Sequence, residues 1–355
     1  MTIDRICTIG PVSNNKDTLS QLIKNGMNIV RLNLSHGSHE SHREVIRLVR
    51  SLDDSIKILG DLQGPKIRLG SIEGERITLQ TGATFTLYMH SVSGSNEGVS
   101  VDYAGIVNDV KVGSRILIND GEVELIVEEI SAEKIETKVK VGGDIASHKG
   151  VNLPGTIVNL PAITEKDQKD IQFLLGEDVE FIACSFVRQA SHIKEIREFI
   201  HLKKETPPNL IAKIETMEAI ENFQSICKEA EGIMIARGDL GVELPYQFIP
   251  LLQKIMIQEC NHTNTYVITA TQMLQSMVEN SIPTRAEVTD VFQAVLDGTN
   301  AVMLSAESAA GDYPIESIET LRIVSEFAEY VRKDAPFNMG DMLKLLHKSL
   351  SQVKC

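Results

Sequence analysis

A lysine and a glutamate two residues apart are the side chains of this sequence with the clearest chemical potential. Lys213 and Glu215 end an apolar run typical of a buried strand, on which side chains two residues apart share a face. A second apolar run, residues 232–237, leads to Gly238 and Asp239. If the two strands are neighbours, Glu215 and Asp239 can hold one divalent metal ion beside Lys213. That arrangement suits phosphoryl transfer or enolate chemistry, in which fixed cations stabilise negative charge on oxygen.

The elements that would position these side chains form a regular alternation. Eight short apolar runs end in glycine, an acid, threonine or serine: residues 5–10, 29–35, 57–63, 181–186, 210–215, 232–237, 266–271 and 301–305. Helical patterns follow most of them, at residues 17–25, 39–52, 192–202, 217–229, 247–263 and 317–332. The alternation predicts an α/β fold, a closed (β/α)8 TIM barrel of eight parallel strands. An open, doubly wound sheet is the alternative.

One connection is far longer than the rest. The third run ends near Gln63 and the fourth begins near Phe181, whereas such connections usually have about 2–6 residues. Alternating segments between them predict an inserted small all-β lid domain after strand 3, residues 70–153. The barrel domain then comprises residues 1–69 and 154–332, with a capping box at Thr164 and Asp167 returning the chain to the barrel. Residues 333–355 form a tail that we expect to contain one amphipathic helix.

Composition restricts the class of partner. The net charge of −14 argues against nucleic acid and against an anionic membrane surface, because both favour a basic face. The five cysteines are scattered and lack CxxC spacing, and neither a signal peptide nor a run long enough to span a membrane occurs. We therefore expect a cytoplasmic protein with no nucleic-acid or membrane partner.

In a TIM barrel the active site lies at the carboxyl ends of the strands. The predicted strand ends carry cations that could bind phosphate, acids that could bind metal, and hydroxyl groups. They are Arg31, Asn33, Ser35, His36, Asp61, Lys66, Arg68, Lys213, Glu215, Arg237, Asp239, Thr271, Ser305 and Glu307.

Nine motifs resemble those of pyruvate kinase and run in that family's order over about the first 330 residues. They are CTIGP (7–11), MNIVRLNLSHG (27–37), DLQGPKIR (61–68), KGVNLPG (149–155), IAKIE (211–215), MIARGDLGVE (234–243), ATQML (270–274), PTRAE (283–287) and MLSAE (303–307). The resemblance implies transfer of the phosphoryl group of phosphoenolpyruvate to ADP in glycolysis, giving ATP and an enolate that is protonated to pyruvate.

The resemblance also implies residue roles. Glu215 and Asp239 would bind Mg²⁺ or Mn²⁺, an ion that keeps waters and substrate oxygens in its shell. Lys213 would neutralise the phosphoryl group and the enolate oxygen, and Arg31 would hold the phosphate. The backbone amides of Gly238 and Asp239 would hold the substrate carboxylate if they open a helix.

The remaining implied roles concern protonation and the nucleotide. Thr271 lies where the family delivers the proton, and because a threonine hydroxyl is a weak acid we expect a water relay through Ser305 and Glu307. Four residues would meet ADP or ATP: Asn33, His36, Arg68 and Lys149.

Two departures from the family pattern lead to further expectations. Many members have Thr and Glu where this chain has Leu62 and Lys66, beside the monovalent-cation region of Asn33, Ser35 and Asp61. We expect the Lys66 ammonium to replace K⁺, so that K⁺ is not required. The chain also ends at Cys355, without the C-terminal regulatory domain usual in the family, and we expect no control through an effector site there.

We expect a homo-oligomer, a dimer formed by barrel contacts near residues 283–287. Two other functions stay open from sequence. One is a non-catalytic or regulatory protein derived from the kinase, and the other is a different metal-dependent barrel enzyme acting on phosphoenolpyruvate or a keto acid.

Overall fold

The structure is a computed structural model that describes residues 2–204, 206–334 and 338–352. In chain order the strands are β1 (Asp4–Thr8), β2 (Ile29–Asn33), β3 (Lys57–Asp61), β4 (Ile67–Arg68), β5 (Arg76–Leu79), β6 (Thr84–Tyr88), β7 (Gly98–Ser100), β8 (Arg115–Ile118), β9 (Val123–Ile130), β10 (Lys134–Val141), β11 (Gly143–Ala146), β12 (Gly150–Asn152), β13 (Phe181–Cys184), β14 (Asn209–Ile214), β15 (Gly232–Ala236), β16 (Tyr266–Ala270) and β17 (Ala301–Leu304). The helices are α1 (Lys16–Lys24), α2 (His39–Leu52), α3 (Ile106–Asp109), α4 (Glu165–Gly176), α5 (Ala190–His201), α6 (Met217–Glu221), α7 (Phe223–Glu229), α8 (Arg237–Glu243), α9 (Ile249–Thr263), α10 (Arg285–Asp297), α11 (Ala306–Ala309), α12 (Pro314–Asp334) and α13 (Met339–Gln352), with short 3-10 turns at Tyr246–Phe248 and Gln275–Val278.

The eight predicted apolar runs form a closed barrel of parallel strands. The strand order around it is β1-β17-β16-β15-β14-β13-β3-β2, so the prediction of a TIM barrel is confirmed and the open doubly wound sheet is wrong. Strands β14 and β15 are neighbours, with Lys213 opposite Met234, as the proposed pairing of Glu215 with Asp239 requires. Each strand ends one or two residues before the end of the corresponding predicted run. The last residues of the run leave the sheet and turn towards the site.

Two apolar layers explain why these strands are apolar on both faces. The inner layer fills the barrel with side chains such as Ile6, Leu59 and Met234. The outer layer packs the opposite face of the strands against the surrounding helices. A parallel strand buried on both faces loses the period-two alternation of a half-exposed strand and appears as a continuous apolar run.

The helices follow the predicted pattern with two refinements. The stretch predicted as one helix at residues 217–229 is divided at Asn222 into α6 and α7. The capping box predicted at Thr164 and Asp167 is present at the start of α4. A second capping box, Thr284 with Glu287, starts α10. In the tail, α13 lies where an amphipathic helix was predicted.

The insertion between β3 and β13 is rich in β-structure and has its own apolar core. Seven of its strands form one sheet in the order β4-β12-β8-β9-β10-β6-β7, and β11 pairs with β5. Its first and last strands pair with each other, Arg68 with Gly150, so that the chain leaves and re-enters the barrel at one place. We call strands β4–β12 the β-rich insert. Among the described residues, no helix is long and apolar enough to cross a membrane.

Candidate active site

A cavity of about 390 Å³ lies at the carboxyl ends of the barrel strands, between the barrel and the β-rich insert. Twelve of the residues selected from sequence line it: Arg31, Asn33, Ser35, His36, Asp61, Leu62, Lys66, Arg68, Lys149, Lys213, Glu215 and Asp239. We call it the central cavity. Tertiary structure therefore brings together side chains from strands that are far apart in sequence.

Lys213 is the centre of the polar network in this cavity. Its Nζ lies 2.6 Å from Ser185 Oγ, 3.1 Å from Asp61 Oδ1 and 3.0 Å from Glu215 Oε1. Burial opposes the charged form of Lys213, but the Asp61 and Glu215 carboxylates more than compensate and raise its pKa above the usual value. The ammonium group is therefore charged at neutral pH and is held in position on three sides.

Asp61 joins Lys213 to Arg31. Arg31 Nε donates to Asp61 Oδ2 at 2.7 Å, and Arg31 Nη1 donates to Thr8 Oγ1 at 2.9 Å. Burial alone would raise the pKa of Asp61, but the nearby Lys213 and Arg31 cations lower it below its ordinary value. A charged carboxylate thus fixes two cations at one side of the cavity.

Glu215 and Asp239 provide the carboxylates that a divalent cation would need. The Phe186 backbone N–H donates to Glu215 Oε2 at 2.6 Å, which orients this carboxylate. Burial raises the pKa of Glu215; the Lys213 charge opposes that rise and the negative charge of Asp239 adds to it. A divalent cation between the two acids would relieve this repulsion, so the donor set fits one. The described residues contain no group of three or more His, Cys, Asp or Glu side chains placed to hold a metal ion. An ion here would depend on substrate and water for its remaining ligands.

The Lys66 ammonium faces Asp239. Its Nζ lies 3.3 Å from Asp239 Oδ1 and 3.7 Å from Asp120 Oδ1 of the β-rich insert. Among the described residues, the ion-pair partners of Asp61 are Arg31 and Lys213. Lys66 thus shares the central cavity with the predicted monovalent-cation region, but its charge is directed at Asp239.

Thr271 occupies an unusual backbone conformation. Its φ is 68°, in the left-handed region that a β-branched residue rarely adopts. Arg237 holds this conformation, because its Nη2 donates to the Thr271 carbonyl at 2.6 Å while Asp290 lies 2.7 Å from its Nη1. Arg237 is thus held by its salt bridge with Asp290 and fixes the exit of β16. The Thr271 hydroxyl accepts from the Gly238 N–H at 2.8 Å, which couples the exit of β16 to the first turn of α8.

Ser305 and Glu307 lie outside the central cavity. Glu307 is fully buried, and its carboxylate oxygens accept from the backbone N–H groups of Leu274 and Ser305 at 3.0 and 2.7 Å. Ser305 lines an adjoining cavity of about 660 Å³ together with Arg31, Asn33 and His36. In the part of the chain that the structure describes, no direct hydrogen bond joins Thr271 to Ser305 or Glu307, and a proton relay among them needs intervening water.

Comparison with known proteins identifies the family. A family model described as the barrel domain of pyruvate kinase matches residues 2–318. The chain belongs to the pyruvate kinase family. It is 45% identical over 351 residues, 97% of its length, to proteins named pyruvate kinase from Staphylococcus epidermidis, Staphylococcus haemolyticus and Staphylococcus aureus. The chain spans 60% of the length of these relatives.

A solved structure gives the same result. The chain resembles the crystal structure of a pyruvate kinase from Cryptosporidium parvum with a TM-score of 0.89 and 41% identity, over 93% of this chain and 69% of that one. Membership of the pyruvate kinase family thus has support from sequence and from fold.

The residues selected for the nucleotide by the pyruvate kinase resemblance come from two parts of the chain. His36 and Asn33 border both cavities, whereas Arg68 and Lys149 come from the paired segments that enter and leave the β-rich insert. Arg68 Nη1 donates to the His148 carbonyl at 3.1 Å, which ties these two segments together.

Sequence reasoning missed four residues of this candidate site. Ser185 and Phe186 follow β13, Thr8 ends β1, and Asp120 reaches the site from the β-rich insert. The rule that selects strand ends would have found the first three, had it been applied to the first and fourth apolar runs. Nothing in the sequence would have placed Asp120 near Lys66, because that contact depends on how the insert folds over the barrel.

One glycine in the DLQGPKIR motif is required by this geometry. Gly64 has φ 70°, and a Cβ there would lie 2.7 Å from Ser185 Cβ and 2.9 Å from Ser185 O. A larger residue would push Ser185 away from Lys213. The motif therefore needs glycine for both backbone conformation and space.

Proposed function

We propose that this chain catalyses the pyruvate kinase reaction, the transfer of the phosphoryl group of phosphoenolpyruvate to ADP to give pyruvate and ATP in glycolysis. The observation that carries the proposal is the environment of Lys213: a charged, buried ammonium held between Asp61, Ser185 and Glu215. Asp239 lies in the first turn of α8, directly after the neighbouring strand β15. Such a preorganised cation suits a reaction in which charge develops on phosphoryl and enolate oxygens.

Glu215 and Asp239 are the residues that would hold Mg²⁺ or Mn²⁺. When bound, the ion supplies positive charge to the oxygens of the substrate as a Lewis acid. The chain would first have to release two contacts that now neutralise these carboxylates, Lys213 with Glu215 and Lys66 with Asp239. The Lys213 ammonium then becomes available to the substrate.

Three groups of the chain would orient phosphoenolpyruvate. Lys213 neutralises the transferring phosphoryl group and the enolate oxygen, and Arg31, fixed by Asp61, holds the phosphate. The backbone N–H groups of Gly238 and Asp239 lie in the first turn of α8 and bind the substrate carboxylate. Since the Gly238 N–H now donates to Thr271, substrate would exchange that bond for its own.

Protonation and nucleotide binding complete the proposal. Thr271 positions the water that protonates the enolate, and Ser305 and Glu307 extend the relay. The nucleotide is held by Asn33, His36, Arg68 and Lys149. Glycolysis would place this activity in the cytoplasm, and a dimer formed through barrel contacts near residues 283–287 stays a prediction.

We further propose that the reaction proceeds without K⁺. Lys66 lies in the central cavity beside Asn33, Ser35 and Asp61, and its ammonium supplies a positive charge there. Its observed contact with Asp239 would have to give way when a divalent ion binds, which leaves the ammonium available to the K⁺ region.

A coupled assay tests the activity. Pyruvate formation from phosphoenolpyruvate, ADP and Mg²⁺ is followed with lactate dehydrogenase in buffer lacking Na⁺ and K⁺. We expect turnover by the parent chain and a loss of about 10²- to 10³-fold or more in kcat for Lys213→Met, because one preorganised charge-stabilising donor contributes that much. Lys16→Met, an exposed lysine at the start of α1, is the matched control and should retain full activity.

Different results point to different functions. Consumption of phosphoenolpyruvate without ADP would indicate another barrel enzyme, and binding without turnover would indicate a non-catalytic relative. Lys213→Met with undiminished kcat would refute the assigned role. Circular dichroism of both variants separates a lost fold from a lost function.

A further inference from the structure

A separate cavity of about 170 Å³ lies beside the central cavity, where the two ends of the β-rich insert meet the barrel. One side is formed by the connecting segments, with Pro65, Ile67 and Leu153, and the other by barrel loops, with Phe186 and Met217. We call it the hinge cavity. Its wall is mainly apolar, and anything bound in it would contact both the insert and the barrel.

Two side chains that line it, Asn152 and Glu218, each have an oxygen atom with no hydrogen-bond partner among the described residues. Asn152 is 7% exposed, and its Oδ1 is buried without a partner among the described residues. Glu218 Oε2 is in the same condition. Its companion Oε1 accepts from Gln189 Nε2 at 2.8 Å, but the nearest cation to Oε2, Arg188 Nε, is 3.9 Å away and too far for a hydrogen bond. Buried acceptors of this kind are destabilising unless a donor reaches them.

The charged side chains of the wall are mainly acidic, so they attract the same positively charged donors as the two oxygen acceptors. Glu218, Glu221 and Glu243 line the hinge cavity, against the two cations Lys66 and Arg188. Lys66 faces Asp239, whereas Arg188 donates to the carbonyls of Phe186 and Leu160 and forms an ion pair with Glu218 at 3.9 Å. Among the described residues, Glu221 and Glu243 have no ion-pair partner. Burial raises the pKa of Glu243 to about 7, although hydrogen bonds from Asn152 and from the Gly155 N–H lower it. In the described part of the chain, the wall therefore contains two acceptors without donors and three acids, of which Glu218 alone has an ion-pair partner.

We propose that the hinge cavity binds a small primary amine in its ammonium form, carrying a compact apolar group. An ammonium group brings three N–H donors and one positive charge, which match the Asn152 and Glu218 oxygens and the acidic wall. The apolar group would pack against side chains such as Ile67 and Leu153. The ligand class is opposite in charge to phosphoenolpyruvate and ADP, so it differs from the ligands proposed for the central cavity, with which the hinge cavity shares Lys66 and Phe186.

Isothermal titration calorimetry of the whole chain with benzylamine tests the proposal. Benzyl alcohol has the same ring and a neutral hydroxyl in place of the ammonium, and is the matched probe. We expect saturable binding of benzylamine and binding at least about tenfold weaker for benzyl alcohol, because a charged donor makes the stronger hydrogen bonds.

Two variants locate the site. Glu218→Gln removes the charge and Asn152→Leu removes the acceptor, and each should weaken benzylamine binding by about tenfold or more. Glu195→Gln, an exposed acid on α5, should leave the affinity unchanged. Unfolding midpoints of all three variants verify that they remain folded.

Three results would overturn the proposal: no saturable binding of benzylamine, equal affinity for the amine and the alcohol, or unchanged affinity in both Glu218→Gln and Asn152→Leu. None of these results depends on whether the chain turns over phosphoenolpyruvate.

Discussion

Replacement of Asp61 by asparagine is the sharpest test of how the buried charges are balanced. Asp61 is 1% exposed and lies between Arg31 at 2.7 Å and Lys213 at 3.1 Å. Together with Glu215, these side chains form a cluster of two cations and two anions. Asp61→Asn preserves the shape of the side chain but leaves the cluster with one uncompensated positive charge.

The cost follows from the burial of the partners. Removing one member of a buried ion-pair network is destabilising by about 3–5 kcal/mol, because the remaining charge is left without compensation. The asparagine carbonyl can still accept one hydrogen bond, so we expect the lower end, a loss of about 3 kcal/mol in the free energy of unfolding. Asp54→Asn is the control, since the Asp54 side chain is 84% exposed and should change stability by less than about 0.5 kcal/mol.

The assay is equilibrium unfolding in urea followed by circular dichroism. A double-mutant cycle with Lys213→Met isolates the pair, because removing both partners restores neutrality. We expect the double variant to be more stable than the sum of the single losses implies, by about 1–3 kcal/mol. Equal stability of Asp61→Asn and Asp54→Asn, or strict additivity with Lys213→Met, would refute the account of the network.

The same variant has a pH signature with a defined sign. The pKa of Asp61 is lowered in the folded protein, so its stabilising contribution is present above its ordinary value of 3.8 and is lost as pH falls through the folded value. The stability difference between the parent chain and Asp61→Asn should therefore be largest near neutral pH and should shrink in acid. A difference that grows below pH about 4 would contradict this assignment.

Four further predictions concern other parts of the site. Lys66→Glu should make turnover dependent on K⁺, measured by titrating KCl in the coupled assay. Thr271→Ala should lower kcat by about 10²-fold, whereas Thr271→Ser keeps the hydroxyl and most of the activity. Mg²⁺ should raise the unfolding midpoint of the parent chain but not of Glu215→Gln, because an ion that binds only the folded state stabilises it. The pKa of Glu243 is raised to about 7, so its stabilising contribution is complete below its ordinary value of 4.5 and is lost as pH rises through about 7. The free energy of unfolding of the parent chain should therefore fall by up to about 3 kcal/mol through this group as pH rises. Glu243→Gln should abolish that fall, measured by urea unfolding at several pH values.

Each of these predictions has an outcome that would contradict it. A large activation of the parent chain by K⁺ would reject the role of Lys66. Equal rates for Thr271→Ala and Thr271→Ser would remove the hydroxyl from the mechanism. An identical Mg²⁺ response in Glu215→Gln would move the ion elsewhere, and parallel stability curves for Glu243→Gln and the parent chain would show that Glu243 has an ordinary pKa.

Much of the fold could be predicted because burial leaves a direct record in the sequence. The eight apolar runs correspond to the eight barrel strands, since a strand covered on both faces must be apolar along its whole length. The start of α4 could also be predicted, from the capping residue Thr164. The division of residues 217–229 at Asn222 was not, because a break of one residue leaves the apolar period almost unchanged.

The composition of the site was also largely encoded locally. Because polar residues at the carboxyl ends of parallel strands converge on one rim, Lys213, Glu215 and Asp239 could be placed in one cavity without coordinates. The sequence could not predict which side-chain atoms are in contact. The rotamer of Lys66 and its contact with Asp120 depend on the path of the β-rich insert, over which no local pattern has control.

The sequence by itself determined the barrel, the inserted β-structure and the chemical identity of the rim, because each follows from short-range patterns of burial and polarity. It determined the family through the nine motifs that resemble those of pyruvate kinase. Only the tertiary structure decided how the charges are shared. It holds Lys213 by Ser185 as well as by two acids, places Thr271 in the left-handed region, and directs Lys66 at Asp239. These features arise from side chains brought together across the barrel and the insert, where packing and electrostatics act over distances that no sequence period records.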